Sequence, residues 1–194
     1  MPLSIIHYPH PTLRHKSRPV ARVDRRLKSL VDEMLDLMYQ HDGVGLAANQ
    51  VDLPIRLFVA NPSGTKGDGE EWVVINPEID RHKGSEADRE GCLSLPGLYG
   101  QVKRPRLVRL QGYDLAGKEI KTTLDGFLGR IVQHETDHLD GVLFFDRMTE
   151  ESRREVEGPL DEFESEFRAL VANGTIGSDE TLLAQRKEWE DAYT

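Results

Sequence analysis

Gly126-Phe127-Leu128-Gly129-Arg130-Ile131-Val132-Gln133-His134-Glu135-Thr136-Asp137-His138-Leu139 decides how this chain is read. Phe127, Leu128, Ile131, Val132 and Leu139 recur at helical spacing, and Gly141 stands just beyond as a stop. The predicted helix carries His134 and His138 one turn apart, so both imidazoles fall on one face, close enough to share a cation. Glu135 follows His134 directly and points at the edge of the same site. In such a helix two neutral imidazoles bind a metal that acidifies a water. The carboxylate takes a proton from that water and returns it to a leaving amine. Two histidines at this spacing also occur on helices that bind nothing, so the motif needs a further ligand.

Cys92, the one cysteine, lies in Glu90-Gly91-Cys92-Leu93-Ser94-Leu95-Pro96-Gly97. A single cysteine excludes an internal disulfide, and taken alone it reads as a small buried apolar residue. As a thiolate beside the histidine pair it completes two nitrogens and one sulfur, leaving a fourth position open, which is the mark of a catalytic rather than a structural site. A third segment, Gly43-Val44-Gly45-Leu46-Ala47-Ala48-Asn49-Gln50, permits close backbone approach by a substrate strand or a neighbouring helix. The Gln50 amide suits an oxyanion.

The rest of the chain bounds the fold. Its 194 residues suffice for one domain with a short appendage, and 38% apolar with 30% charged residues is ordinary for a globular protein. No apolar run reaches the roughly 20 residues of a membrane helix, and the first residues carry neither a secretory nor a transit pattern, so a cytoplasmic location is expected. The net charge of -9 argues against general nucleic-acid binding. It is concentrated in residues 150–194, which hold 13 acidic against 5 basic side chains. Asp24 caps an amphipathic helix over 24–41 that Gly43 stops, with Leu27, Leu30, Val31, Met34 and Met38 on one face. Strands are expected at 56–60 and 72–76, with a surface loop between them. A hairpin is expected from 106–113 and 118–124, turning at Ala116-Gly117, and helices at 159–172 and 178–193.

The segments Gly43 to Gln50, Glu90 to Ser94 and Gln133 to Leu139, in that order, resemble the three signature motifs of the peptide deformylases. Pro9-His10-Pro11-Thr12-Leu13-Arg14 and Val102-Lys103-Arg104-Pro105 are similar to the family as well, so the resemblance spans roughly residues 3–148. It implies that Cys92, His134 and His138 bind one divalent metal, Fe(II) in the cell, with nickel, cobalt or zinc able to substitute. It implies that Glu135 is general base and acid, and that the Gln50 side chain and the Leu93 N–H stabilise the tetrahedral intermediate. The substrate would be the N-formylmethionyl end of a newly made polypeptide, the product formate. By matching positions, Val44, Phe127 and Ile131 line the methionine pocket, and the backbones of Gly45 and Gly91 pair with the substrate as an added strand. Glu90, Arg104 and Asp137 are candidates to orient the ligands from behind, with ordinary surface salt bridges as the alternative.

Two features depart from the family pattern. Tyr99 stands where an Arg is usual near the pocket mouth, and the acidic tail offers few of the basic residues with which some members dock on ribosomes. A zinc aminopeptidase or endopeptidase is disfavoured because those enzymes usually take His or Glu as third ligand. A catalytically dead binding relative would require a lost ligand or a lost Glu135, and none is lost. The expected fold is α+β: antiparallel strands around a central metal-binding helix, as a catalytic domain over 1–149, with an acidic helical extension over 150–194. Oligomeric state is not legible.

Overall fold

Asp24 accepts a hydrogen bond from the Leu27 N–H at 2.8 Å, and this cap starts α1 (Arg25–Gln40) where the sequence places it. In the computed structural model, which describes residues 2–194, Leu27, Val31, Met34 and Met38 form its buried face. The helix stops differently from the expectation. His41 is the cap and Asp42 takes the left-handed turn at φ 55°, while Gly43 lies just beyond in contact with Leu93.

The central sheet has five antiparallel strands in the order β1 (Gly45–Ala47), β2 (Leu57–Ala60), β3 (Trp72–Lys83), β6 (Leu107–Tyr113) and β7 (Glu119–Asp125). β2 is apolar at every position because both of its faces are covered. Leu57 and Val59 pack with α1, whereas Phe58 and Ala60 pack with the His-bearing helix α2 (Gly126–Leu139) through Ile131, Val132 and Leu139. α2 thus lies against one face of the sheet and α1 against the other. The fold is α+β, as expected.

β3 runs past the expected end at residue 76. Asn76 sits at φ 52°, the register with β6 shifts between Ile75 and Glu78, and the Pro77 ring falls within that bulge, where its missing N–H costs the ladder nothing. A second sheet was not anticipated. β4 (Glu86–Cys92) and β5 (Leu95–Arg104) form a two-stranded hairpin, with Gly91 opposite Tyr99. The first four residues of β4 are polar or small and exposed on both faces, so no alternation advertises it. The hairpin of β6 and β7 turns at Asp114 to Gly117 as the sequence suggests.

The C-terminal segment is three helices: α3 (Glu150–Glu155), which the sequence reading missed, then α4 (Glu157–Ala172) and α5 (Asp179–Tyr193). They pack on the body. Val156 and Leu160 join a core with Leu13, Leu95, Val102 and Phe144, while Tyr193, 2% exposed, inserts into the core under α1. Among the described residues no helix is long and apolar enough to cross a membrane.

Candidate metal centre

α2 has two chemically distinct sides. Ile131, Val132 and Leu139 go into the sheet, and the turn-spaced His134 and His138 face the β4–β5 hairpin. Cys92 is the last residue of β4, just before the hairpin's turn. Its Sγ lies 3.2 Å from His138 Nε2, and one ligand atom from each of Cys92, His134 and His138 lies within 4.8 Å of the other two. Residues 42 positions apart in sequence are brought together because β4 runs across α2.

Two of the three candidate ligands are aimed by a partner, whereas His138 Nδ1 is buried with no hydrogen-bond partner among the described residues. His134 Nδ1 lies 3.0 Å from Glu90 Oε2, which commits that nitrogen and leaves Nε2 for the centre. Glu90 also accepts two hydrogen bonds from Arg104, at 2.6 and 2.9 Å, and one from Arg130 at 2.7 Å. Arg104 reaches on to Asp137 at 2.7 Å, and Arg147 donates to the same carboxylate. Glu90 and Arg104 are buried, so this is an enclosed network rather than a surface salt bridge. The Ser94 N–H points at Cys92 Sγ at 3.4 Å.

The electrostatics favour a cation between these donors. Burial works against a charged His134, yet hydrogen bonds with Cys92 and Glu90 and the nearby Glu135 carboxylate outweigh it and raise the group to about 10. Burial and the His134 charge hold His138 well below the usual imidazole range. Glu90 resists burial because hydrogen bonds from His134 and Arg104 keep its carboxyl well below the usual range. The groups around His134 thus favour positive charge at this point, and a divalent ion would take the place of the His134 proton, leaving two neutral nitrogens and one sulfur as its donors.

Glu135 is buried, and its Oε2 has no hydrogen-bond partner among the described residues. Burial pushes its carboxyl up to about 7, the range a group needs if it is to take and return a proton near neutrality. Gly45 makes room for it: a β-carbon at that position would stand 2.8 Å from Glu135 Cδ. Gln50 is fixed from one side. Its Oε1 accepts from the Ala47 N–H at 2.8 Å, so its Nε2 points at Ser94 Oγ (3.2 Å) and Cys92 Sγ (3.4 Å).

Cys92, His134, Glu135 and Gln50 line a cleft of about 690 Å³ together with Val44, Gly45, Gly91, Leu93, Phe127 and Ile131, while His138 lies buried behind it, 3.2 Å from Cys92. Ile131 is buried within the cleft, and Phe127, 54% exposed, stands at its rim. The sequence reading missed Ser94, which holds Gln50; Arg130, which braces Glu90; and His7 and His41 at the mouth. Arg130 could have been found, since it stands one helical turn before His134. Nothing in the sequence marks His7. A larger hollow of about 840 Å³, between residues 15–19 and the β6–β7 hairpin, holds no comparable set of metal donors among the described residues.

Fold and site together define a class: a metal-dependent hydrolase of amide bonds, with a buried carboxylate beside two histidines on one helix. The sequence pattern of the family described as "Polypeptide deformylase" matches residues 2–154. The chain is 64% identical over 194 residues to the peptide deformylase of Rhodopirellula baltica, covering all of this chain and 96% of that one. It is 44% identical over 187 residues to peptide deformylase 1B of Arabidopsis thaliana, covering 96% of this chain and 67% of that one. The crystal structure of a plant peptide deformylase superposes with a TM-score of 0.86 at 42% identity, over 89% of this chain and 94% of that one. A peptide deformylase from Legionella pneumophila superposes at 0.77 with 38% identity, over 85% and 96%. The chain belongs to the polypeptide deformylases, metal-dependent enzymes that remove the formyl group from the amino terminus of new polypeptides.

Proposed function

We propose that Cys92, His134 and His138 hold a single divalent ion, Fe(II) in the cell, and that this centre releases formate from N-formylmethionyl polypeptides with Glu135 moving the protons. The observation that carries this reading is the convergence of one sulfur and two nitrogens within 4.8 Å, next to a buried carboxylate with an unpaired oxygen. When bound, such an ion supplies Lewis acidity, lowering the pKa of a water at its free position toward neutrality. Zinc, nickel or cobalt can replace iron on these donors, and the general affinity order ranks zinc above Fe(II). The choice of iron therefore rests on the family resemblance.

Glu135 accepts a proton from the attacking water and passes it to the departing amine. The Gln50 Nε2 and the Leu93 N–H donate to the oxygen that gains charge as the carbonyl carbon becomes tetrahedral. The orientation of Gln50 by the Ala47 N–H supports this role. β1 and β4 are both edge strands of their sheets, and Gly45 and Gly91 lie on them, which supports a substrate pairing there as an added strand. Val44, Phe127 and Ile131 receive the methionine side chain. A formamide carries only hydrogen on its acyl side, so a cramped site admits it and rejects ordinary peptide bonds.

We assign the catalytic unit to residues 1–149 and an accessory role to 150–194. The cytoplasm, where new chains emerge, is the working compartment on this reading. The test is formate release from a formyl-Met tripeptide by protein loaded with Fe(II) without oxygen, with the metal measured in the same sample. Cleavage of unformylated peptides without formate release would sink the assignment in favour of a peptidase.

A further inference from the structure

Tyr99 is 53% exposed at the mouth of the catalytic cleft, and its ring lies across Gly91, the residue opposite it on β4. A β-carbon at Gly91 would stand 2.5 Å from Cδ1 of that ring, so the bare glycine is what lets the ring lie against the strand. Arg89 shares this face of the hairpin, two residues before Gly91, and its Cζ sits 4.7 Å from the Tyr99 ring centroid. Stacking on an aromatic face restrains a guanidinium while leaving its in-plane N–H donors free. Arg89 makes no ion pair among the described residues. Its neighbour Asp88 lies 4.0 Å from Arg130 instead.

β4 is an edge strand that leads away from Cys92, and Arg89 is three residues back from that ligand, about 10 Å along an extended chain. A substrate with its formyl group at the metal centre and its chain along β4 brings its third residue level with Arg89. We propose that Arg89, restrained on Tyr99, is the residue that selects a carboxylate at the third position of the formylated substrate. The carboxylate belongs to an Asp or Glu side chain or to the terminus of a tripeptide. This inference rests on the substrate lying along β4, as argued above.

The experiment compares kcat and KM for metal-loaded wild type, R89A, R89E and Y99A. The substrates are formyl-Met-Ala-Glu-amide, formyl-Met-Ala-Lys-amide, formyl-Met-Ala-Ala with a free or amidated terminus, and formyl-Met-amide, which has no third residue. Wild type is expected to favour Glu over Lys, and the free terminus over the amide, by about three- to fivefold in kcat/KM, through KM, with the preference shrinking as salt rises. R89A abolishes the preference, R89E inverts it, Y99A weakens it, and all variants keep wild-type kcat/KM on formyl-Met-amide. A free-terminus preference without a Glu preference restricts the site to chain ends and overturns the side-chain arm. An R89E variant with the wild-type Glu-to-Lys ratio overturns the whole proposal, as does an equal loss on formyl-Met-amide, which would make Arg89 a structural residue. Absence of formate from every peptide with wild type would instead strike the deformylase reading.

Discussion

Nδ1 of His134 lies 3.0 Å from Oε2 of Glu90, and that carboxylate is gripped in turn by Arg104 and Arg130. The contact sets which imidazole nitrogen is offered to the metal centre. Replacing Glu90 with Gln keeps the shape but leaves Arg104, 3% exposed, short of its countercharge. Breaking one partner of a buried ion pair costs about 3–5 kcal/mol, and loss of a ligand's orienting partner typically weakens metal binding by about 10–100-fold. Thermal unfolding and metal competition against a chelator should both register the change. Wild-type metal affinity in E90Q would remove Glu90 from the orienting role.

Gly45 stands beside Glu135, the proposed proton shuttle, rather than beside the candidate metal donors. In G45A the new methyl group, 2.8 Å from Glu135 Cδ, must push the carboxylate aside. A misplacement on the order of 1 Å can cost about 10²-fold in rate. We expect kcat to fall by about that factor while the bound-metal stoichiometry stays at the wild-type value. A G45A protein with unchanged kcat would show that Glu135 is free to move without loss.

Most of this centre was legible because its chemistry lies in short local patterns. His134, Glu135 and His138 need only helical spacing, and Cys92 stands out as the one thiol. The network behind them was harder to read. Glu90, Arg104 and Asp137 could each have been a surface charge, and only the crossing of β4 and β5 over α2 buries them together. The β4–β5 hairpin was missed for a related reason: a strand exposed on both faces carries no hydrophobic alternation. Within β3, Asn76-Pro77 reads as a strand end, whereas the chain absorbs the proline in a bulge and continues to Lys83.

The tail is packed into the core of the body. Tyr193 fills a place in the core under α1, the Ala21 N–H donates to its carbonyl at 2.7 Å, and Arg26 stacks on Trp189 one turn before it. Truncating a buried aromatic costs about 3–5 kcal/mol. Y193A should therefore lower the denaturation midpoint markedly while leaving kcat on a formylated peptide unchanged at permissive temperature. A variant with wild-type stability would mean that α5 is not part of the folded core.

Glu135 offers the sharpest separation of binding from chemistry. Its carboxylate is not among the three converging metal donors, and one of its oxygens is buried without a partner. E135Q is close to isosteric, so metal content should stay near normal. Turnover should fall by several orders of magnitude, because the amide can no longer accept the proton. Metal analysis and formate release on one preparation decide the matter, and a wild-type rate would assign the base elsewhere.

Gln50 demands a paired design, because its two ends do different things. Oε1 accepts from the Ala47 N–H, a buried bond whose loss in Q50A would by itself destabilise the segment that leads into the site. Nε2 faces Cys92 and Ser94 and is the end that can donate to an oxyanion. Q50E retains an acceptor for Ala47 and removes the donor, so it isolates the second function. Loss of one oxyanion donor costs ~2.7–4 kcal/mol, about 10²–10³ in kcat. Q50E should show at least that loss, since it also sets a negative charge where another is developing. Q50A should match it in kcat and add a drop in unfolding temperature. If Q50A loses only stability and Q50E turns over normally, Gln50 is a packing residue, and the Leu93 N–H is left as the assigned donor to the developing charge.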